Sequence, residues 1–275
     1  MAIQIMSDLH LEAPKAYDIF EIVPKAPVLA LLGDIGNVEA HKSDMAGFIA
    51  RQLRQFRAVL YVPGNHEAYQ STWPATLRIL MEFEKEVRAQ RAKDPALGGF
   101  VLLDRTAYRL QQDLGVVVLG CSLFSHVPPE AETAVSQGMN DFYQDANWTV
   151  AEHNAAHKRD LVWLNGAVEE LGQLADVHSI IIMTHWSPST DPRAQNPRYA
   201  NDPNPIAAGF RTDLSREACF QAPKVKVWAF GHTHYNCDFV VERGSMAGPL
   251  RLVTNQRGYY FAQSQGYGND KTLKV

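Results

Sequence analysis

Five short segments carry side chains that bind cations or move protons: Asp8-Leu9-His10, Gly33-Asp34, Gly64-Asn65-His66-Glu67, Thr184-His185 and Gly231-His232-Thr233-His234. Each follows an apolar run that reads as a buried strand, the plainest being Leu29-Ala30-Leu31-Leu32 before Gly33-Asp34. A carboxylate at the mouth of such a strand loses its hydration, which is costly unless a cation meets it. Asp34 has two oxygens with free lone pairs and is the candidate bridge between two metal ions. Asp8, His10 and His234 are the candidates for one ion, and Asn65, His185 and His232 for the other. These are mixed nitrogen and oxygen shells suited to Mn, Fe or Zn. Two such ions about 3.5 to 4 Å apart hold a bridging water, lower its pKa toward neutrality and clamp phosphoryl oxygens during in-line attack. The expected reaction is hydrolysis of a phosphomonoester or small phosphodiester by a metal-bridging hydroxide, with Asp34 and His66 as catalytic candidates. His66 would protonate the leaving alkoxide or stabilise transition-state charge, and Glu67 or Asp8 would orient its ring. Asn65, His66 and His126 are the candidate substrate contacts.

The elements that must position these residues are legible in outline. Residues 2–6, 28–32, 58–62, 180–183 and 225–230 read as buried strands, each delivering a polar cluster at its C-terminal end, the edge where open α/β sheets bind ligands. Met45, Phe48, Ile49, Leu53 and Phe56 recur at spacings of three and four, which predicts an amphipathic helix over 43–56 with Ser43 as N-cap. Further helices are expected over 74–91 and 149–171. Three β-like runs after Gly98-Gly99, followed by strands near 239–241 and 250–254, predict a second, partly antiparallel sheet. Residues 122–147 show little periodicity and are too long for a mere connector. The stretch 186–212, with Arg193, Arg198 and Arg211, is expected to be a substrate-contacting loop. No linker or repeat divides the chain, so a single domain over 1–275 is expected.

At 275 residues with 46% hydrophobic and 20% charged content, the chain has the composition of a globular protein rather than a disordered one. The formal charge of −4 makes a broad electrostatic role on nucleic acid unlike this protein. No basic leader precedes Asp8 and no run reaches transmembrane length, so a cytoplasmic protein without a membrane partner is expected. Cys121, Cys219 and Cys237 are widely spaced with no C-x-x-C pair, which fits reduced thiols and not a cysteine zinc site. His153 and His157, at i and i+4 on a helix, lack an acidic partner between them and read as packing or surface residues. The arginines of 51–57 and the basic residues of 88–93 read as helix exteriors.

The five segments, in this order, resemble the calcineurin-like metallophosphoesterase superfamily, whose motifs run D-x-H, G-D, G-N-H-[DE], H and G-H-x-H. The likeness extends from Asp8 to His234. It implies a four-layer α-β-β-α sandwich with two mixed β-sheets and the metals above the strand ends. It also implies the ligand division given above, with His66 as the transition-state histidine. The protein Ser/Thr phosphatase branch continues its Gly-Asp motif with Asp-Arg, whereas Asp34 is followed here by Ile35-Gly36-Asn37, which points to a small phosphoester substrate. Two other classes fit the same fold: a catalytically inactive binding or scaffold protein, and a nuclease. A scaffold is expected to have lost a ligand or the histidine of Gly-Asn-His, and this chain keeps both. The acidic charge balance counts against a long nucleic acid. Sequence alone leaves the oligomeric state open.

Overall fold

The computed structural model describes residues 2–111, 113–199 and 203–274. The chain begins as β1 (Ala2–Met6), β2 (Val28–Leu32), α1 (Lys42–Leu53), β3 (Ala58–Val62), α2 (Trp73–Arg91) and β4 (Gly99–Leu102). A hairpin of β5 (Thr106–Leu110) and β6 (Asp113–Cys121) opens the second sheet. Two short helices, α3 (Glu132–Gly138) and α4 (Asp141–Gln144), precede the long α5 (Val150–Gln173). Then come β7 (Ser179–Thr184), α6 (Ala218–Gln221), β8 (Val225–Phe230), β9 (Asp238–Glu242), β10 (Pro249–Thr254), a small hairpin of β11 (Gly258–Tyr259) and β12 (Ala262–Gln263), and β13 (Thr272–Lys274).

Two mixed sheets result. In the first the order is β13-β1-β2-β3-β4, parallel except for β13; in the second it is β5-β6-β7-β8-β10-β9, with β5 and β9 antiparallel. The strand period of two sorts the side chains into layers. Ile3, Ile5, Ala30, Leu60 and Val62 pack against Val118, Ile181, Met183 and Ala229 between the sheets. The opposite face of the first sheet, with Leu29, Leu31, Val59 and Tyr61, packs on Phe48, Ile49 and Leu53 of α1 and Leu80 and Val87 of α2. The outer face of the second sheet, with Leu119, Ile182 and Trp228, packs on Leu164 and Val168 of α5. The architecture is therefore the expected four layers. Strands buried on both faces need near-continuous apolar sequence, and this is why they were readable. Among the described residues, no helix is long and apolar enough to cross a membrane.

Local departures from expectation have plain causes. The first helix starts at Lys42 with His41 in the capping position and no side-chain cap, so Ser43 lies inside the first turn rather than at its cap. Thr72 and Thr149 do cap their helices, each hydroxyl accepting from the amide three residues on. His153 and His157 are buried and tie α5 to the loop after β6: Ser125 N donates to His153 Nε2 at 3.1 Å, and His157 Nδ1 donates to Leu123 O at 2.9 Å.

Candidate metal centre

The site is built on strand ends from both sheets. Asp8 and His10 follow β1, Asp34 follows β2, Asn65 and His66 follow β3, His185 follows β7, and His232 and His234 follow β8. Asp8, His10, Asp34, His232 and His234 all have positive φ, between 47° and 68°. A non-glycine residue in the left-handed region costs about 1 kcal/mol or more, and five at one locus mark a backbone bent to aim side chains. Small residues make room for these bends. Gly33 has φ +87°, and a Cβ there would collide with the His185 ring; one at Gly64 would collide with the Asp34 carboxylate.

All seven predicted ligands converge. Asp8, His10 and His234 each offer a ligand atom within 4.8 Å of the other two, and so do Asp34, His185 and His232. Asn65 Oδ1 joins the second group, 3.1 Å from His185 Nε2. The two Asp34 oxygens face different ways: Oδ1 lies 3.3 Å from His185 Nε2, while Oδ2 lies 3.9 Å from His10 Nε2. His10 Nε2 and His234 Nε2 stand 2.9 Å apart, with Asp8 Oδ1 3.3 Å from the latter.

These atoms fit cations. His185 Nδ1 donates to Leu32 O at 2.7 Å, which turns Nε2 toward two oxygens that can only accept, Asn65 Oδ1 and Asp34 Oδ1. Burial by itself would depress the His185 pKa, yet Asp34 beside it raises it to about 9, so positive charge is favoured at that nitrogen. Burial, then repulsion from His185, pulls His232 well below the ordinary histidine value. Its Nε2 is buried without a hydrogen-bond partner among the described residues, as suits a neutral imidazole awaiting a cation. Against the cost of its own burial, Asp34 is held well below the usual carboxylate range by His185 and His66.

Surrounding groups fix the ligands. Asn65 Nδ2 donates to Asp141 Oδ1 and to Tyr69 OH, each at 2.9 Å, and Tyr69 OH donates to the same Asp141 oxygen at 2.7 Å. The amide is thereby locked with its oxygen toward His185. Glu67 does not orient His66, contrary to the sequence expectation. Its carboxylate accepts from the backbone amides of Asp34, Ile35 and Gly64 and from Tyr61 OH, at 2.7 to 2.9 Å. Asp8 does not orient His66 either, since its oxygens face His232 N and His234. The orienting carboxylate is Glu12, whose Oε1 lies 2.7 Å from His66 Nδ1 and 3.3 Å from His10 Nδ1. Burial raises the Glu12 pKa, but its bonds to His10 and His66 prevail and take it down to about 2. For His66, burial is outweighed by Asp34 and then Glu12, and the pKa rises to about 9. Its Nε2 points into the site, 3.4 Å from Tyr259 OH and 3.9 Å from Asp34 Oδ2.

A cavity of about 290 Å³ lies over this cluster, with Asp34, Asn65, His66, Phe210, His232 and Tyr259 among its walls. His126 is not one of them: its ring is exposed, and its backbone amide donates to Thr212 Oγ1 at 2.8 Å. Glu12, Tyr69, Asp141 and Tyr259 were not foreseen. Only Glu12 carried a local signal, as an acid two residues beyond His10.

The arrangement of motifs on strand ends is matched by a family model, calcineurin-like phosphoesterase, over residues 1–236. The chain belongs to the calcineurin-like phosphoesterase family. A curated relative described as an uncharacterised protein of Acanthamoeba polyphaga mimivirus is 26% identical over 281 residues, covering 94% of this chain and 91% of the relative. Among solved structures, the phosphopantetheinyl hydrolase of Mycobacterium tuberculosis superposes with a TM-score of 0.64 at 16% identity, covering 94% of this chain and 89% of that one. At that identity the likeness is one of fold. Calcineurin-like phosphoesterase chemistry needs metal, and the buried His and Asp groups described above are suited to hold it.

Proposed function

We propose that this calcineurin-like phosphoesterase is a dinuclear metallohydrolase that cleaves a phosphomonoester or small phosphodiester. The observation that carries the reading is the placement of Asp34, whose two oxygens face separate groups of side chains able to bind metal. One ion would be held by Asp8, His10, Asp34 and His234, the other by Asp34, Asn65, His185 and His232, with Mn, Fe or Zn all compatible with these donors. When bound, such ions supply Lewis acidity toward the phosphoryl oxygens and a strong oxygen nucleophile near neutral pH.

The remaining chemistry belongs to the chain's own residues. His66, with Nδ1 fixed on Glu12, presents Nε2 to the cavity at a place where the leaving oxygen of a bound ester can be reached. With Glu12 on its other nitrogen, the ring can carry a proton at Nε2 for the departing alkoxide, which needs one most as the P–O bond breaks. Tyr259 packs its ring on His10, with centroids 4.3 Å apart, and brings its hydroxyl near His66. It narrows the mouth of the site and offers a further donor to a phosphoryl oxygen. Phe210 stacks on His232 at 5.1 Å between centroids and shields that ligand from water.

The test is metal analysis combined with kinetics. Purified protein is expected to contain about two transition-metal ions per chain, and to hydrolyse a nitrophenyl phosphate mono- or diester. Asp34→Asn is expected to lose that activity and part of the metal. Metal-replete protein that cleaves no phosphoester in a broad panel would sink the reading.

A further inference from the structure

A second cavity, of about 340 Å³, adjoins the metal centre and shares two of its walls, Phe210 and Thr233. Its volume falls within the range of small-molecule sites. Tyr199, Ile206 and Phe210 give it a mainly apolar lining, Gln195 adds an amide, and Arg211 supplies the cationic group. The loop arginines differ in how they are used. Arg193 is committed elsewhere: its Nη2 lies 2.7 Å from Asp191, its Nη1 donates to Val240 O at 3.1 Å, and its guanidinium stacks over Phe239 at 4.3 Å. Arg198 is exposed and lies outside the cavity lining. Arg211 is half-buried and has no carboxylate or carbonyl partner for its guanidinium among the described residues, and burial alone pulls its pKa below the ordinary arginine value. A half-buried guanidinium without a partner has lost hydration that nothing in the protein restores.

The wall that carries Phe210 and Arg211 is fixed. Trp186 Nε1 donates to Gly209 O at 3.0 Å, and Thr212 N donates to Ser187 O at 3.1 Å, so both sides of Phe210-Arg211 are tied to the strand end that carries His185. Phe210 presents one face to His232 and contributes to both cavities, so an ester over the metal ligands whose alcohol portion extends past Phe210 reaches the cavity that Arg211 lines.

We infer that this second cavity is the leaving-group pocket, and that the substrate is a phosphoester whose alcohol portion carries an apolar body and a second anionic group received by Arg211. The inference rests on the phosphoesterase reading for the identity of the neighbouring site, and it narrows the substrate class. A carboxylate or a second phosphate would serve Arg211 equally, since both accept paired N–H donors in its plane.

Two synthetic diesters test this: methyl 2-naphthyl phosphate and its 6-carboxy analogue, assayed on the metal-replete full chain by naphthol fluorescence. The carboxylated ester is expected to show a KM about tenfold or more below that of the plain ester, the size of a charged hydrogen bond. Arg211→Ala is expected to bring the two KM values within about twofold of each other, and Arg211→Lys to keep part of the preference. A tighter KM for the carboxylated ester that survives Arg211→Ala would overturn the assignment, as would no preference in the unmutated chain. Binding of 6-hydroxy-2-naphthoate, the leaving group alone, reads the pocket without turnover. Binding weakened about tenfold by Arg211→Ala, in a protein that hydrolyses neither ester, would keep the pocket and reject the esterase reading. Binding unchanged by the substitution would reject the pocket.

Discussion

Glu12 is the residue on which the chemistry of His66 depends. One of its oxygens holds the Nδ1 of both His66 and His10, so a single carboxylate sets the ring plane of a candidate acid and of a candidate ligand. Replacing it with glutamine keeps the volume and one oxygen but removes the charge and presents an amide N–H that can point at an imidazole N–H. Glu12→Gln is therefore expected to lower kcat on a nitrophenyl diester by about tenfold to a hundredfold, the usual effect of removing a carboxylate behind a working histidine. KM should move by no more than about threefold, because the lost interaction matters most while the leaving group departs. Steady-state kinetics at saturating metal decide it. An unchanged kcat would mean that His66 is held by something other than Glu12. The same reasoning explains why Glu67 was a poor candidate for this role: its carboxylate is already filled by three backbone amides and a phenol.

At the scale of elements, that filled carboxylate clamps the ends of β2 and β3 together. Glu67 takes the amides of Asp34 and Ile35 after one strand and of Gly64 after the other, and thereby fixes the distance between Asp34 and Asn65. Glu67→Ala would leave four buried donors without an acceptor, and unfolding in urea is expected to show a loss of about 3 kcal/mol or more. Glu67→Gln is expected to cost less, since it keeps the volume and an acceptor for two of those donors. Burial, and Asp34 after it, raises the Glu67 pKa to about 7 against the bonds from Tyr61 and Ile35, and glutamine keeps one accepting oxygen for two of the four donors while its amide group faces the other two. Equal losses in the two variants would argue that the retained volume and single oxygen count for nothing, and that both carboxylate oxygens are needed to hold these loops. The strands, the long helices and the ligand-bearing loops were legible in the sequence because burial on both faces and helical periodicity are local signals. Glu12, Tyr69 and Asp141 were not, because their partners are set by tertiary packing: Asn65 and Asp141 are 76 residues apart. Asp141 lies in the stretch 122–147, whose short helices leave no periodic trace. Of the stretch 186–212, residues 200–202 lie outside the described residues, and the rest holds 3₁₀ turns placed by contacts such as Trp186 to Gly209 rather than by propensity.

For the molecule as a whole, the consequential feature is that the ligand set spans both sheets. Asp8, His10, Asp34 and Asn65 come from strand ends of the first sheet, and His185, His232 and His234 from strand ends of the second. Bound cations would therefore link two halves that otherwise meet through the apolar layer between the sheets and through backbone contacts such as Ser7 N to Asn255 O. Without them, the Asp34 and Asn65 oxygens face the imidazoles of His185 and His10 at 3.1 to 3.9 Å in place of a cation, and five left-handed residues lose the ligand bonds that would offset their strain. Anything that binds the folded state alone stabilises it by mass action, by about 4 kcal/mol at a thousandfold excess over Kd. For a chain of this size that corresponds to about 10 °C in Tm. Removing metal with a chelator is thus expected to lower Tm by about that amount, and adding Mn, Fe or Zn back should restore it. Calorimetry on the full chain measures the shift, and Asp34→Asn should show much less of it, because the residue that faces both groups can then offer only one oxygen. A chain whose Tm is the same before and after chelation, and the same again in Asp34→Asn, would show that the two sheets are held by their apolar layer alone.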